Sequence, residues 1–234
     1  MITIAVTVLC GVCCALLVGC EVRSGTAQAP QQRQRLERIR QLSKLAASTC
    51  FVLVPLVGGG FSADRHDHGL ATWMMIGLVL GATGDAALLA HSSTGFLIGL
   101  GAFLLGHLAY VVGFSRCVAG TAISSATLAL ALIPIVAGGL ALRWLWRYLG
   151  DMRIPVLAYV TVITAMMIAA IAVLHDSTRN LPFRYLIGSG ATLFFISDLA
   201  VARDRFVAPG WRNRAWGLPA YYTGQLLLAW SITP

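Results

Sequence analysis

Eight apolar stretches, each close to the length that crosses a lipid bilayer, constrain the fold of this chain more than any other feature. A helix needs about 20 apolar residues to cross roughly 30 Å of hydrocarbon, and 58% of the 234 residues are hydrophobic while only 11% are charged. This predicts an all-α polytopic membrane protein, a bundle of about eight transmembrane helices that forms one integral membrane domain over residues 1–234. The expected spans are 2–20, 45–61, 72–90, 96–114, 120–141, 154–174, 184–201 and 217–233.

The cations are unevenly divided among the connections between these spans, and this predicts the orientation of the chain. Odd-numbered connections hold thirteen of the 17 lysines and arginines, and even-numbered connections hold the rest. Because cytoplasmic loops are enriched in Lys and Arg, the odd-numbered connections should be cytoplasmic and both termini non-cytoplasmic. In a bacterium the protein would lie in the inner (cell) membrane. The net charge of +8 then reflects orientation in the lipid bilayer, and no nucleic-acid partner is expected.

The first connection, residues 21–44, is the only extended polar tract and is expected to be a basic cytoplasmic loop. Two local structures remain open for it. A basic interfacial helix would turn Leu36, Ile39 and Leu42 toward lipid. A solvated linker would merely satisfy the orientation rule.

Two aspartates stand alone inside apolar stretches, Asp85 near the end of the third and Asp198 near the end of the seventh. The other seven acidic residues are expected in polar connections. A carboxylate in hydrocarbon costs on the order of 3 kcal/mol on insertion scales, so it persists only with a partner or a function. Asp85 and Asp198 are therefore the predicted functional groups.

The order of the spans brings further polar side chains to the depth of these aspartates. The third and seventh spans run toward the cytoplasm, whereas the second, sixth and eighth start from that side. The groups expected to converge on a cavity in the cytoplasmic half of the bundle are Lys44, His107, Tyr110, Tyr159, Tyr221, Tyr222 and Gln225.

Two nearby carboxylates in a low-dielectric medium cannot easily both be ionised, so one can serve as a neutral acid beside a charged partner. This arrangement fits general acid–base hydrolysis. It also fits a proton-coupled transporter of small solutes or lipids. A purely structural alternative is that each aspartate pairs with Lys44, His107 or a tyrosine and locks helices together.

No metal site and no cofactor are expected. The sequence Asp-Arg-His-Asp-His at residues 64–68 has no regular ligand spacing and is interpreted as a solvated turn. The six cysteines lie mostly in or beside spans, where Cys10 and Cys13 form a CxxC pair, and helix packing accounts for them.

Around these polar residues the chain resembles the YhhN family of integral membrane proteins, which includes lysoplasmalogenases. The resemblance runs from about residue 44 to the C-terminus, with one departure, because Lys44 precedes Leu45 where the family usually has proline. The matching segments are Gly84-Asp85 with Leu88, Gly106-His107-Leu108-Ala109-Tyr110, Pro155 with Tyr159, Phe194-Phe195-Ile196-Ser197-Asp198, and Tyr221-Tyr222-Thr223-Gly224-Gln225-Leu226-Leu227.

The resemblance implies an eight-helix hydrolase that cleaves the vinyl ether bond of a lysophospholipid substrate, releasing a fatty aldehyde and a glycerophospho-alcohol. The reaction protonates the β-carbon of the enol ether, adds water to the oxocarbenium ion and collapses the hemiacetal. Asp85 and Asp198 would divide the acid, base and cation-stabilising roles as a glycosidase carboxylate pair does, and the sequence leaves open which is the acid. The expected supporting or substrate-binding residues are Lys44, His107, Tyr110, Tyr159, Ser197, Tyr222 and Gln225.

Overall fold

The computed structural model describes residues 1–24, 29–62, 68–90, 92–119 and 124–233, and every long regular element in these ranges is an α-helix. The predicted all-helical fold class is confirmed. The eight helices are α1 (Ile2–Ser24), α2 (Pro30–Val57), α3 (His68–Ala87), α4 (Ser93–Cys117), α5 (Ser125–Leu145), α6 (Arg153–His175), α7 (Leu181–Ala202) and α8 (Trp211–Ser231).

Six of these helices are long and apolar enough to cross a membrane, namely α1, α3, α4, α5, α6 and α7, which makes the chain a multi-pass membrane protein. The other two expected spans, α2 and α8, do form helices, but they are too polar along part of their length to be assigned as spans from composition. Both supply polar side chains to the interior of the bundle.

Of the two local structures left open for residues 21–44, the structure has the helix, but this helix runs on into the second span without a break. Residues 21–24 belong to α1, and residues 30–44 form the first half of α2, continuous with the second span. The Arg, Gln, Leu and Glu residues of this tract favour a helix, and Pro30 occupies the first turn, where its missing N–H costs nothing. Leu42 is exposed, and the half-buried Arg40 joins Glu37 one turn earlier through an ion pair of 2.6 Å.

Consecutive helices alternate in direction, and all consecutive pairs except α4 and α5 pack extensively against each other. The closest pairs are α1 with α2, α3 with α4, and α7 with α8, while α6 bridges α4, α5 and α7. Between α7 and α8 the backbones nearly touch, since a Cβ added at Gly190 would lie 3.0 Å from the carbonyl oxygen of Gly224. Small residues permit this approach. As a result, the C-terminal ends of odd-numbered helices meet the N-terminal ends of even-numbered helices at one end of the bundle.

Candidate functional site

A cavity of about 770 Å³ lies at this end of the bundle, and both intramembrane aspartates line it. Its wall is formed by the last turns of α1, α3, α5 and α7 and the first turns of α2, α4, α6 and α8. Five of the nine predicted site residues lie on this wall: Lys44, Asp85, Tyr159, Ser197 and Asp198. The other four lie behind it: His107, Tyr222 and Gln225 contact residues of the wall, and Tyr110 contacts Gln225.

Asp85 of α3 is almost fully buried and is held by one cation and two hydroxyl groups. Lys44 Nζ of α2 lies 3.2 Å from Asp85 Oδ1. The hydroxyl of Ser48 lies 2.5 Å from Asp85 Oδ2, and that of Tyr222 on α8 lies 3.4 Å from the same oxygen. Lys44 and Ser48 are one helical turn apart and therefore reach the carboxylate from the same face of α2. Asp85 is thus half of a buried ion pair.

Asp198 of α7 has neutral partners instead. The hydroxyl of Tyr159 on α6 donates a hydrogen bond of 2.8 Å to Asp198 Oδ2, and His107 Nε2 of α4 lies 3.6 Å from the same oxygen. Among the described residues no lysine or arginine pairs with it. Its side chain is 18% exposed, compared with 4% for Asp85, so it presents more of its carboxyl group to the cavity.

The contacts of His107 fix where its ring proton lies. Nδ1 is 2.7 Å from the carbonyl oxygen of Phe103, which can only accept, so Nδ1 carries the hydrogen. Nε2 is buried without a hydrogen-bond partner and faces Asp198. The ring packs against Phe194 and Tyr159, at centroid distances of 4.4 and 5.3 Å, so these surroundings would not solvate a charged imidazolium.

Three further predicted site residues, Tyr110, Gln225 and Ser197, form hydrogen bonds that do not involve either aspartate. Tyr110 of α4 and Gln225 of α8 are fully buried and hydrogen-bonded to each other, Tyr110 OH donating to Gln225 Oε1 at 2.6 Å. Gln225 also reaches the hydroxyl of Tyr221, which lines the cavity. The hydroxyl of Ser197 donates to the carbonyl oxygen of Phe194 on its own helix, so this serine is on the wall but contacts neither aspartate.

The mouth of the cavity carries an ionic cluster that the sequence did not predict. Glu21, expected in a polar connection, lies in α1 and is 3% exposed. Its carboxylate is 2.7 Å from Arg214 Nε and 3.6 Å from Arg40 Nη1, and Arg214 also contacts Asp204 at 2.9 Å. Glu21 lies on the buried face of α1 one turn after Leu17. That helical spacing is the sequence signal that would have marked it as buried.

The described part of the chain contains neither a metal-binding cluster nor a disulfide bond. No group of three or more His, Cys, Asp or Glu side chains there could hold a metal ion. Residues 64–67 of the His/Asp-rich turn lie outside the described ranges. All six cysteines are buried and unbridged, and Cys10 donates to the carbonyl oxygen of Ala47 where α1 packs on α2.

Comparison with known proteins gives a consistent set of similarities. The sequence profile of the YhhN family matches residues 39–232. Lysoplasmalogenase TMEM86A of Bos taurus is 32% identical over 166 residues, covering 70% of this chain and 66% of that protein. The lysoplasmalogenase of Mycobacterium tuberculosis (strain CDC 1551 / Oshkosh) is 31% identical over 154 residues, covering 64% of this chain and 55% of that protein. Lysoplasmalogenase TMEM86B of Homo sapiens is 31% identical over 194 residues, covering 82% and 76%.

The match to the bovine and mycobacterial relatives therefore spans less than two thirds of their own length. No solved structure matches the chain significantly.

Proposed function

Because this chain belongs to the YhhN family, we propose that it is a lysoplasmalogenase, an ether hydrolase acting on 1-alkenyl lysophospholipids. The products would be a fatty aldehyde and glycerophosphoethanolamine or glycerophosphocholine. The names of the relatives support this activity. The observation that carries the proposal is the pair of aspartates on one cavity wall, one in an ion pair and the other with neutral partners.

We assign the acid to Asp198. His107 Nε2 has a lone pair facing Asp198 Oδ2, and two unprotonated atoms in that position would repel each other. A proton shared between them removes the repulsion. Since neutral imidazole with a carboxylic acid places no charged group in this apolar surrounding, whereas imidazolium with a carboxylate would place two, the proton belongs on Asp198. His107 then accepts a hydrogen bond and orients the acid, with Tyr159 as its second partner.

Asp85 has the complementary role. Lys44 and the two hydroxyl groups keep it ionised, and an anion in a low-dielectric cavity stabilises a cation more strongly than it would in water. The cation of this reaction is the oxocarbenium ion. Since Lys44 is paired with Asp85, its role in this mechanism is to hold that carboxylate.

The reaction balances with these two groups. Asp198 gives its proton to the β-carbon of the vinyl ether, which leaves an oxocarbenium ion opposite Asp85. Water adds to the α-carbon, and its proton returns to Asp198, giving a hemiacetal. The hemiacetal hydroxyl then loses a proton while the glycerol oxygen gains one, the carbon–oxygen bond breaks, and aldehyde and alcohol leave. The two carboxyl groups end as they began, as in glycosidases.

Charge distribution supports an orientation for this site. The basic residues of the first half of α2, and those between α5 and α6 and between α7 and α8, lie at the end of the bundle where the cavity opens. By the positive-inside rule, the cavity opens toward the cytoplasm and both termini are non-cytoplasmic; in a bacterium the membrane would be the inner one. Since α1 packs on α2 and α8, we treat residues 1–234 as one integral membrane domain, although the family profile begins at residue 39.

The experiment is release of aldehyde from a 1-alkenyl lysophospholipid by the purified full chain in detergent or liposomes. We expect aldehyde with a stoichiometric glycerophospho-alcohol, and none from the 1-alkyl analogue, whose saturated ether has no β-carbon to protonate. Absence of aldehyde from the alkenyl substrate would overturn the proposal. Proton flux that depends on added solute, without aldehyde, would instead identify the transporter that the aspartates also fit.

A further inference from the structure

Tyr221 of α8 lines the cavity, yet its side chain is only 6% exposed, and four aromatic rings hold it in one orientation. The rings of Tyr222, Phe194, Phe103 and Phe51 lie 5.0, 5.2, 5.8 and 6.0 Å from its centroid, all in edge-on geometry. Such enclosure leaves the ring little freedom. The hydroxyl group therefore points in a fixed direction.

A buried amide sets the direction of the hydrogen bonds at this hydroxyl. Tyr110 OH donates to Gln225 Oε1 at 2.6 Å, and Gln225 Nε2 donates to the oxygen of Tyr221 at 3.3 Å. With the amide reversed, Tyr221 would donate to Gln225, and the hydrogen of the fully buried Tyr110 would lose its acceptor. An unsatisfied buried donor is costly. The first orientation avoids that cost and leaves the hydrogen of Tyr221, a residue of the cavity wall, without an acceptor among the described residues.

Tyr221 thereby differs from the hydroxyl groups around the two aspartates. Ser48 donates to Asp85, Tyr159 to Asp198, and Ser197 to the carbonyl oxygen of Phe194. Tyr222 is committed to Lys44 O or to Asp85. Each of these hydrogens already has an acceptor within the protein. The Tyr221 hydroxyl accepts from Gln225, and its own hydrogen has no acceptor among the described residues.

Glycines on α3 make room for this chain of hydrogen bonds. A Cβ at Gly81 would lie 2.4 Å from Gln225 Nε2 and 3.1 Å from the Tyr221 oxygen, and a Cβ at Gly77 would lie 2.3 Å from the Tyr110 ring. The α3 backbone thus packs directly against the amide and the phenol, and a larger residue at either position would displace them.

We propose that Tyr221 determines specificity by donating a hydrogen bond to the free glycerol hydroxyl of the substrate, an inference that rests on the proposed function. The vinyl ether oxygen is a poor acceptor, because its lone pair is delocalised into the double bond, and a hydrogen bond there would oppose protonation of the β-carbon. The neighbouring hydroxyl is a good acceptor and leaves that electron density intact. A site built to hydrogen-bond a substrate hydroxyl rejects an analogue that lacks it, since its own polar group is then unpaired. Tyr221 would accordingly select lysophospholipids that retain the hydroxyl.

The test compares kcat/KM for the 1-alkenyl lysophospholipid and for its analogue without the glycerol hydroxyl, in the wild type and in Tyr221→Phe. We expect the wild type to prefer the hydroxylated substrate by about tenfold to a hundredfold. Tyr221→Phe should lower kcat/KM for that substrate by a similar factor and leave the analogue nearly unchanged, so the preference falls toward one. A variant that keeps the full preference overturns the proposal. Tyr185→Phe removes an exposed hydroxyl from the outer face of α7 and is the matched control.

A binding measurement separates this inference from the proposed function. The 1-alkyl lysophospholipid and its analogue lacking the hydroxyl cannot react, so their Kd values report recognition without turnover. We expect Tyr221→Phe to abolish the difference between the two Kd values, even if the wild type releases no aldehyde. Equal Kd values for the two ligands in the wild type would overturn the role of Tyr221 while leaving any aldehyde release intact.

Tyr110 is a positioning residue in this account, because it contacts Gln225 and does not line the cavity. In Tyr110→Phe the hydrogen bond that fixes the orientation of the Gln225 amide is lost. The amide can then reverse, and Tyr221 can donate to Gln225 Oε1. We expect the substrate preference to fall several-fold with the melting temperature changed little, a result that a purely structural role would not give. An unchanged preference would contradict the direction assigned to the amide.

Discussion

The two aspartates share one cavity but are held by different chemistry. The Asp85 side chain is 4% exposed, pairs with Lys44 at 3.2 Å and lies within hydrogen-bond distance of two hydroxyl groups. Asp198 is bound by Tyr159 and faces the imidazole of His107, with no cationic partner in the described part of the chain. Identical side chains in similar stretches of sequence thus become, in our account, a fixed anion and a proton carrier, because their neighbours differ.

Because the partners differ, removing each carboxyl group should have different effects on activity and on stability. Loss of Asp198 takes away the acid and leaves no unpaired charge. Loss of Asp85 takes away the anion and also leaves an ammonium group buried without its partner. Activity and stability should therefore respond differently at the two positions.

The largest effect on activity is expected for Asp198→Asn. Removal of the general acid should lower aldehyde release by about a thousandfold, and the melting temperature should stay close to that of the wild type because the amide can still accept from Tyr159. Turnover and thermal unfolding of the same preparation check both parts. Asp151→Asn, an exposed aspartate in the turn before α6, is the control and should behave as wild type. Normal turnover in a folded Asp198→Asn variant would refute the assignment of the acid.

Asp85→Asn should abolish most activity and also destabilise the fold by about 3 kcal/mol, because it leaves Lys44 buried without a counter-charge. Replacing both members of the pair, as in Asp85→Asn with Lys44→Met, should recover most of the stability and none of the turnover. Chemical or thermal unfolding in detergent measures the first part. Equal stability of the single and double variants would contradict a buried ion pair.

His107→Gln probes the shared proton and should reduce turnover by about tenfold to a hundredfold, since Asp198 loses the ring that orients it. The chain offers a matched control in His175, whose Nδ1 makes the same bond to the carbonyl one turn earlier, at 2.9 Å from Ile171 O. His175→Gln changes the same chemistry away from the cavity and should leave kcat unaltered. Similar losses of kcat in both variants would indicate that His107 contributes only to packing.

Asp176 follows α6 at the opposite end of the bundle and is 1% exposed. It is a third buried aspartate to compare with Asp85 and Asp198, and its replacement is expected to have the smallest effect on turnover. Burial raises the pKa of Asp176, but hydrogen bonds from Thr178 and from the backbone N–H of Ala119 outweigh it, so the pKa lies below its ordinary value of 3.8. This stabilisation is complete above the pKa of the unfolded chain and is lost as the pH falls through the lower folded pKa. Asp176→Asn should keep full turnover, lower the melting temperature slightly at pH 7, and lose part of the wild type's acid dependence below about pH 4. A loss of turnover in Asp176→Asn would contradict this prediction and would show that the opposite end of the bundle affects catalysis.

Much of this arrangement could be predicted from one-dimensional patterns. Apolar length located the helices, and alternation of direction brought the polar groups to one end of the bundle. Asp85 and Asp198 lie near the C-terminal ends of α3 and α7, Tyr159 lies near the start of α6, and Lys44 lies where the apolar half of α2 begins. Depth in the bilayer is readable from position along a span.

Rotation about each helix axis and the choice of partner were much harder to read. Nothing in the sequence separates the two aspartates into an ion pair and a neutral cluster, because that division depends on which faces of α2, α4 and α6 turn toward them. Ser48 was missed because a serine in an apolar helix is common and usually bonds its own backbone. A helix was one of two alternatives for residues 21–44, but its continuity with the second span was missed because an apolar-length criterion ignores charged residues that favour helices.

Infrared spectroscopy of the carboxyl C=O stretch tests the central claim most directly, since it detects a protonated carboxylic acid by itself. At neutral pH the wild type should show the band of a buried protonated carboxyl group, the band should persist in Asp85→Asn, and it should vanish in Asp198→Asn. A band that vanishes in Asp85→Asn and persists in Asp198→Asn would contradict the account and reverse the roles of the two aspartates.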